Sequence, residues 1–385
     1  SVTLLAGDDV LIQGTASITA ATTFNITAAS VAGGGVTMDN GSSVTANGGS
    51  GTSVISARDA VQLSNVSAAS QTLTITSTAA NITDADGGAT IDVTATTATF
   101  SAVSGIGASG VNASIEVSAT TVNASNSTSG GVFLNSIGGG AVTFSSIQAN
   151  TAGAVELRSA SNTTLTNVSA VQNPITITVT GTTSVDGTVQ TGGTVGTADL
   201  TITSSGLVTL QATAVLSTTP GSGGTLTLGG ATLVLGSAIY VGAGDVTING
   251  GGPDLIIGAS LTIAGTTSLY ATRDILVNAL VSTISGDLTL SADNNGSGTG
   301  DGVGGLRIST AGQAAAAGNL VLEGSDLFIT GTAGDAVVIE ADGTIGQAQT
   351  TTGNLTLRMR TSAPTTADVD VSGVVQSGSG NILIQ

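Results

Sequence analysis

The chain has 385 residues, 57 of them Gly, with charged residues at 8% and aromatics at 2%. Its 24 acids face six bases, all Arg, for a net charge of −18, and His, Cys, Lys and Trp are missing. That inventory excludes a phosphate-neutralising nucleic-acid surface, disulfides, thiol or imidazole catalysis and histidine metal sites. An apolar content of 40% and a mean hydropathy of +0.43 argue against a disordered linker. No stretch approaches the ~18 apolar residues of a membrane helix, so neither nucleic acid nor membrane insertion is expected.

From the N-terminus onward the chain repeats a triplet in which two apolar residues flank a third, bounded by Gly, Ser, Asn or Asp. It runs through Val36-Thr37-Met38, Leu73-Thr74-Ile75, Ile91-Asp92-Val93, Ile115-Glu116-Val117 and Val155-Glu156-Leu157. It continues through Leu200-Thr201-Ile202, Val246-Thr247-Ile248, Leu288-Thr289-Leu290 and Leu355-Thr356-Leu357. Period-two alternation predicts strands with one buried face, the outer pair pointing inward and the central Thr, Asp or Glu facing solvent. The regular two-residue turns of antiparallel hairpins are missing.

A longer period decides the architecture. Triplets beginning at Leu226, Leu233 and Ile239 are followed by others at Val246, Leu255 and Leu261, offsets of 20, 22 and 22 residues. The segment Leu63–Ala68 is echoed by Leu165–Ala170, 102 residues later and close to five such turns. Periods in this range mark a solenoid. The expected fold is all-β: a parallel β-helix with roughly 20–22 residues per coil, running as one continuous solenoid over 1–385. Gln313 to Ala317 is the sole stretch with helical character, and a loop is expected there.

A second signature is Gly followed by Asp or Asn and three β residues. It stands at Gly244-Asp245-Val246, Gly286-Asp287-Leu288, Gly318-Asn319-Leu320, Gly353-Asn354-Leu355 and Gly380-Asn381-Ile382. With Leu288-Thr289-Leu290-Ser291-Ala292-Asp293, this resembles the repeats of filamentous-haemagglutinin-like exoproteins and related giant bacterial adhesins. The resemblance spans most of the chain on degenerate repeats. It implies a right-handed β-helix, secretion and a place outside the cell, at the bacterial surface. That family's N-terminal secretion domain is not recognisable here.

The catalytic inventory is thin. Asp84/Asp86 and Asp368/Asp370 have i,i+2 spacing and could share a strand face for glycoside chemistry, which needs two carboxylates. Asp, however, marks corners and strand centres throughout, and only Tyr240 and Tyr270 offer sugar platforms. No catalytic or cofactor-binding residue is assigned, and no enzyme is expected. The best metal candidate is a calcium loop in which Asp293, Asn295, Ser297 and Asp301 fit positions 1, 3, 5 and 9, with Gly298 at 6. Gly304 stands at position 12 in place of the bidentate Glu, so a plain Gly-rich loop competes with this reading. The runs Gly33–Gly35 and Gly138–Gly140 head no helix and are turns.

The leading functional expectation is structural: the shaft of an extracellular fibre or adhesin, a stiff spacer that self-associates end to end or laterally. The alternatives are a module that binds surface carbohydrate or another cell and, behind it, a polysaccharide-degrading β-helix enzyme. Lateral contact is suggested by apolar triplet centres at Val234, Ile256, Leu276, Val321, Phe328, Val338 and Leu383. Axial continuity is suggested by the likeness of Asn381–Gln385 to Asp9–Gln13.

Overall fold

The computed structural model describes residues 1–192 apart from 30–32 and 89, and along 198–384 the strands with some of their connecting turns. Among the described residues every regular element is a strand. The strands stack in parallel as a β-solenoid, as the alternation and period predict. No described helix is long and apolar enough to cross a membrane. The backbone groups into two units, Ser1–Gly181 and Thr182–Gln385.

In the first unit one coil consists of Val2–Ala6, Val10–Ile12 and Ser17–Ala20, and the next of Phe24–Ala28, Val36–Met38 and Ser43–Ala46. Val2 pairs with Phe24, Val10 with Val36 and Ser17 with Ser43, so each strand lies in parallel on its counterpart. Later coils fuse two faces into single long strands, such as Asn65–Ser77, Val93–Ala102 and Ile115–Asn126. In-register stacking brings like positions to about 4.8 Å of one another. An inward column results: Ile26, Ile55, Ile75, Phe100, Ala124, Ile147 and Val168 lie one on another and are buried. Burying each large member stabilises the stack by roughly 1.5–3 kcal/mol, which lets a chain with few aromatics assemble a core from thin aliphatic layers.

The second unit keeps three ladders, which run through Leu200–Ser204, Leu207–Leu210 and Val215–Ser217, the last two stacked on Thr183–Gly192. The predicted register holds: Leu226 pairs with Val246 and Leu233 with Leu255, and Tyr240 with Thr262 on the third face. Gln313–Ala316 is a strand, not a loop, because Ala314 pairs with Val281 and turns inward with Ala316.

Two expectations need correction. The 20–22-residue coil holds from Leu226 to Leu288, but Ile115 pairs with Leu134 only 19 residues on, Asn25 with Val54 29 on, and Leu320 with Leu355 35 on. Corners accept insertions because the ladder requires only that the strands return in register. The 102-residue echo is out of register as well. Val66 stacks through Val93, Val117 and Ser136 to Ser159, whereas Val168 belongs to the column of Phe100 and Ile147.

The Gly-Asp signature has a direct structural cause. At the corner before Leu288, Asp287 Oδ1 accepts the backbone N–H of Asn319 on the next coil at 2.7 Å. Asp9 Oδ1 does the same for Gly35 N–H at 2.8 Å. Such bonds satisfy donors that leave the ladder at each bend. Gly286 precedes the corner at φ +89°, and an added Cβ would lie 2.9 Å from the Thr266 backbone nitrogen; only Gly turns there without strain.

Of the apolar triplet centres, Ile256 and Leu276 are half-buried and adjacent in register, with Val234 before them and Arg307 after. Val321 is half-buried between Thr289 and Thr356 in another ladder, and Leu383 is exposed. Phe328 and the side chains of Val234 and Val338 lie outside the described residues.

Candidate functional site

The outer wall of the first unit carries a polar ladder. Val66, Val93 and Val117 are in register, so the residues before them, Asn65, Asp92 and Glu116, stack in turn. Val66 N–H donates to Asp92 O at 2.7 Å, and Asp92 N–H donates to Glu116 O at 3.0 Å. Asn135 and Arg158 continue the ladder. The triplet pattern places both acids at outward strand centres, where solvent exposure is expected. Both are instead 0% exposed. The turns leading into the two strands supply the contacts: Ser114 Oγ donates to Glu116 Oε1 at 3.1 Å, and Asp84 approaches from the end of Ile82–Asp84.

One carboxylate oxygen from each of Asp84, Asp92 and Glu116 lies within 4.8 Å of the other two. Asp92 Oδ2 accepts Glu116 N–H at 2.9 Å. Glu116 Oε1 also takes a long bond of 3.4 Å from Asn135 Nδ2. Asp92 Oδ1 and Glu116 Oε2 are buried and have no donor. Asp84 accepts Asp86 N–H on Oδ1 and Gly87 N–H on Oδ2, both at 2.8 Å.

Two like charges one rung apart repel by about 3.5 kcal/mol at an effective dielectric of 20, and burial removes the water that would screen them. Burial, foremost, pushes the Asp92 carboxyl up to about 9, with the Asp84 and Glu116 charges adding to it against the Glu116 N–H bond. Glu116 and Asp84 are also raised, in each case chiefly by burial. Arg158, two rungs along, gives its guanidinium to Glu156. The arrangement therefore suits a shared proton or a bound cation. A sugar has no place between two fully buried carboxylates, whereas glycosidase pairs flank their substrate at about 5–9.5 Å.

Asp84 and Asp86 do not share a strand face, because the strand ends at Asp84 and Asp86 lies in the bend beyond it. Asp84 joins the cluster, while Asp86 turns into its own loop, taking Gly88 N–H at 2.8 Å and the Thr90 hydroxyl. Asp368 and Asp370 sit in the strand Asp368–Val371, with side chains outside the described residues. The calcium-loop candidates Asp293, Asn295, Ser297 and Asp301 lie outside the described residues altogether. Tyr270 is half-buried beside Asn249 and Ser291 in register, and the Tyr240 side chain is not among those described.

Sequence reasoning missed the pairing of Asp92 with Glu116, although a signal was present. Ile91-Asp92-Val93 and Ile115-Glu116-Val117 match in pattern at a spacing of 24 residues, close to the coil period, so stacking would set acid upon acid. No protein-family model, curated protein or solved structure matches this chain.

Proposed function

We propose that this chain is a shaft segment of a secreted bacterial fibre or adhesin, of the kind that the Gly-(Asp/Asn) repeats resemble, acting outside the cell as a stiff spacer. The observation that carries this reading is the wall itself. Coil after coil presents short outward side chains between buried aliphatic neighbours, as in Leu73-Thr74-Ile75, Ile175-Thr176-Ile177 and Leu200-Thr201-Ile202. A wall made mostly of repeated hydroxyl and methyl groups suits spacing and solubility. A depression lined by Ala69, Thr94, Ala95, Ser118 and Ala119 adds only methyl, hydroxyl and backbone groups. Catalysis finds little support, since the acid cluster is closed over. Carbohydrate binding would have to manage with Phe133 and Tyr270, both half-buried, among the described aromatics of the outer wall.

Negative-stain electron microscopy of the purified chain tests the proposal. Straight rods of uniform width, alone or joined, are the expected result. Compact particles, or hydrolysis of a polysaccharide panel by the same preparation, would refute it.

A further inference from the structure

We propose that Asp84, Asp92 and Glu116 form a calcium site that ties two successive coils of the first unit together. The site is independent of the shaft reading. Acidic groups are plentiful here, with 24 Asp and Glu in the chain, and three features set this cluster apart. Asp92 and Glu116 are fully buried. Each keeps one oxygen, Asp92 Oδ1 and Glu116 Oε2, with no hydrogen-bond donor, and buried acceptors of this kind call for a partner. The three carboxylates approach within 4.8 Å, a span that one central ion reaches at the ordinary calcium–oxygen distance of about 2.4 Å.

The surroundings favour a hard cation over a proton. A single proton shared by Asp92 and Glu116 would leave two of the three negative charges in place, whereas a divalent ion offsets two and serves both orphan oxygens at once. All donors are oxygens, which selects calcium or magnesium over zinc. They come from the end of one strand, the bend that leads into a second and the start of a third, an irregular set that suits the flexible coordination of calcium better than the strict octahedron of magnesium. Asp84 uses each oxygen for one turn bond and keeps a further lone pair on each for a ligand. Ser114 and Asn135 both hold Glu116 Oε1, which orients the carboxylate and leaves Oε2 for the ion.

The test uses the full chain stripped with EDTA, titrated with calcium chloride by calorimetry and melted at each calcium level. At a hundredfold excess over Kd the unfolding midpoint should rise by about 3 °C or more. Asp92→Asn and Glu116→Gln should each lose one bound calcium per chain and the accompanying shift, while Asp8→Asn, at an exposed position, keeps both. If either buried variant fails to fold, Asp84→Asn retains an amide oxygen for its turn and should weaken binding at least about tenfold. Equal calcium uptake by wild type and these variants would overturn the site. So would a wild-type midpoint that ignores calcium and climbs only on acidification, which would assign the two oxygens to a shared proton.

Discussion

Ile115-Glu116-Val117 and Val155-Glu156-Leu157 are the same motif on neighbouring ladders of one wall, and their acids meet different surroundings. Glu116 stacks on Asp92, lies wholly buried and has an oxygen without a donor. Glu156 keeps 14% of its side chain exposed, pairs with Arg158 and accepts the Ser109 hydroxyl at 2.7 Å. Burial alone would raise Glu156, but the Ser109 and Arg158 hydrogen bonds and the guanidinium charge outweigh it and hold the carboxyl below its ordinary range. The central residue of a triplet thus takes its electrostatic character from the rung beside it and the turn above it.

The largest expected effects come from the inward flanks, where the two regions should agree. Ile115 and Leu157 are both fully buried, so Ile115→Ala and Leu157→Ala should each cost about 2–5 kcal/mol in denaturant unfolding. A silent Ile115→Ala would break the comparison, because it would mean that the buried Glu116 has displaced its flank from the core.

The pH response should separate the regions. For Asp92 the folded carboxyl titrates at about 9, above its unfolded value of about 4. Its contribution is therefore complete below the unfolded value and is lost as pH climbs toward the folded one. In EDTA, stability should fall between these limits by up to about 1.4 kcal/mol per pH unit for each such group, and Asp92→Asn should flatten the slope. Glu156 is lowered and works in the opposite sense, stabilising above the ordinary carboxylate range and fading as pH falls through its depressed value. Urea midpoints measured across pH, for wild type and Asp92→Asn, decide the matter. Parallel curves would refute a buried acid stack.

The smallest effects differ in sign. Without calcium at pH 8, Asp92→Asn should stabilise the chain by at least about 1 kcal/mol, because folding no longer has to protonate a carboxyl that is ionised in the unfolded chain. Glu156→Gln should destabilise it by at most about 1 kcal/mol, since Arg158 is partly solvated. Thermal melts of the two variants side by side would show opposite shifts; shifts of the same sign would erase the distinction between the patches.

Much of the architecture was legible in the residues themselves. Alternation in Leu73-Thr74-Ile75 and its kin determined strands with an aliphatic inner face, because a strand turns successive side chains to opposite sides. The offsets from Leu226 to Val246 and from Leu233 to Leu255 determined the register there, because coils of constant length bring equal positions together. The corner Gly-Asp pairs likewise announced bends, and Asp287 sits at one with its carboxylate on the next coil.

Tertiary structure alone decided what varies between coils. The step from Asn25 to Val54, the short return from Ile115 to Leu134 and the misplaced echo at Leu165 all depend on corner insertions, which have no periodic signature. The same insertions decided that Asp92 would lie on Glu116 and that Asp84 and Ser114 would close over them. Alternation reports which side of the wall a residue faces, but solvent access on the outer side depends on whatever the connecting turns fold across it. For this reason two acids that read as a solvated surface became a fully buried cluster.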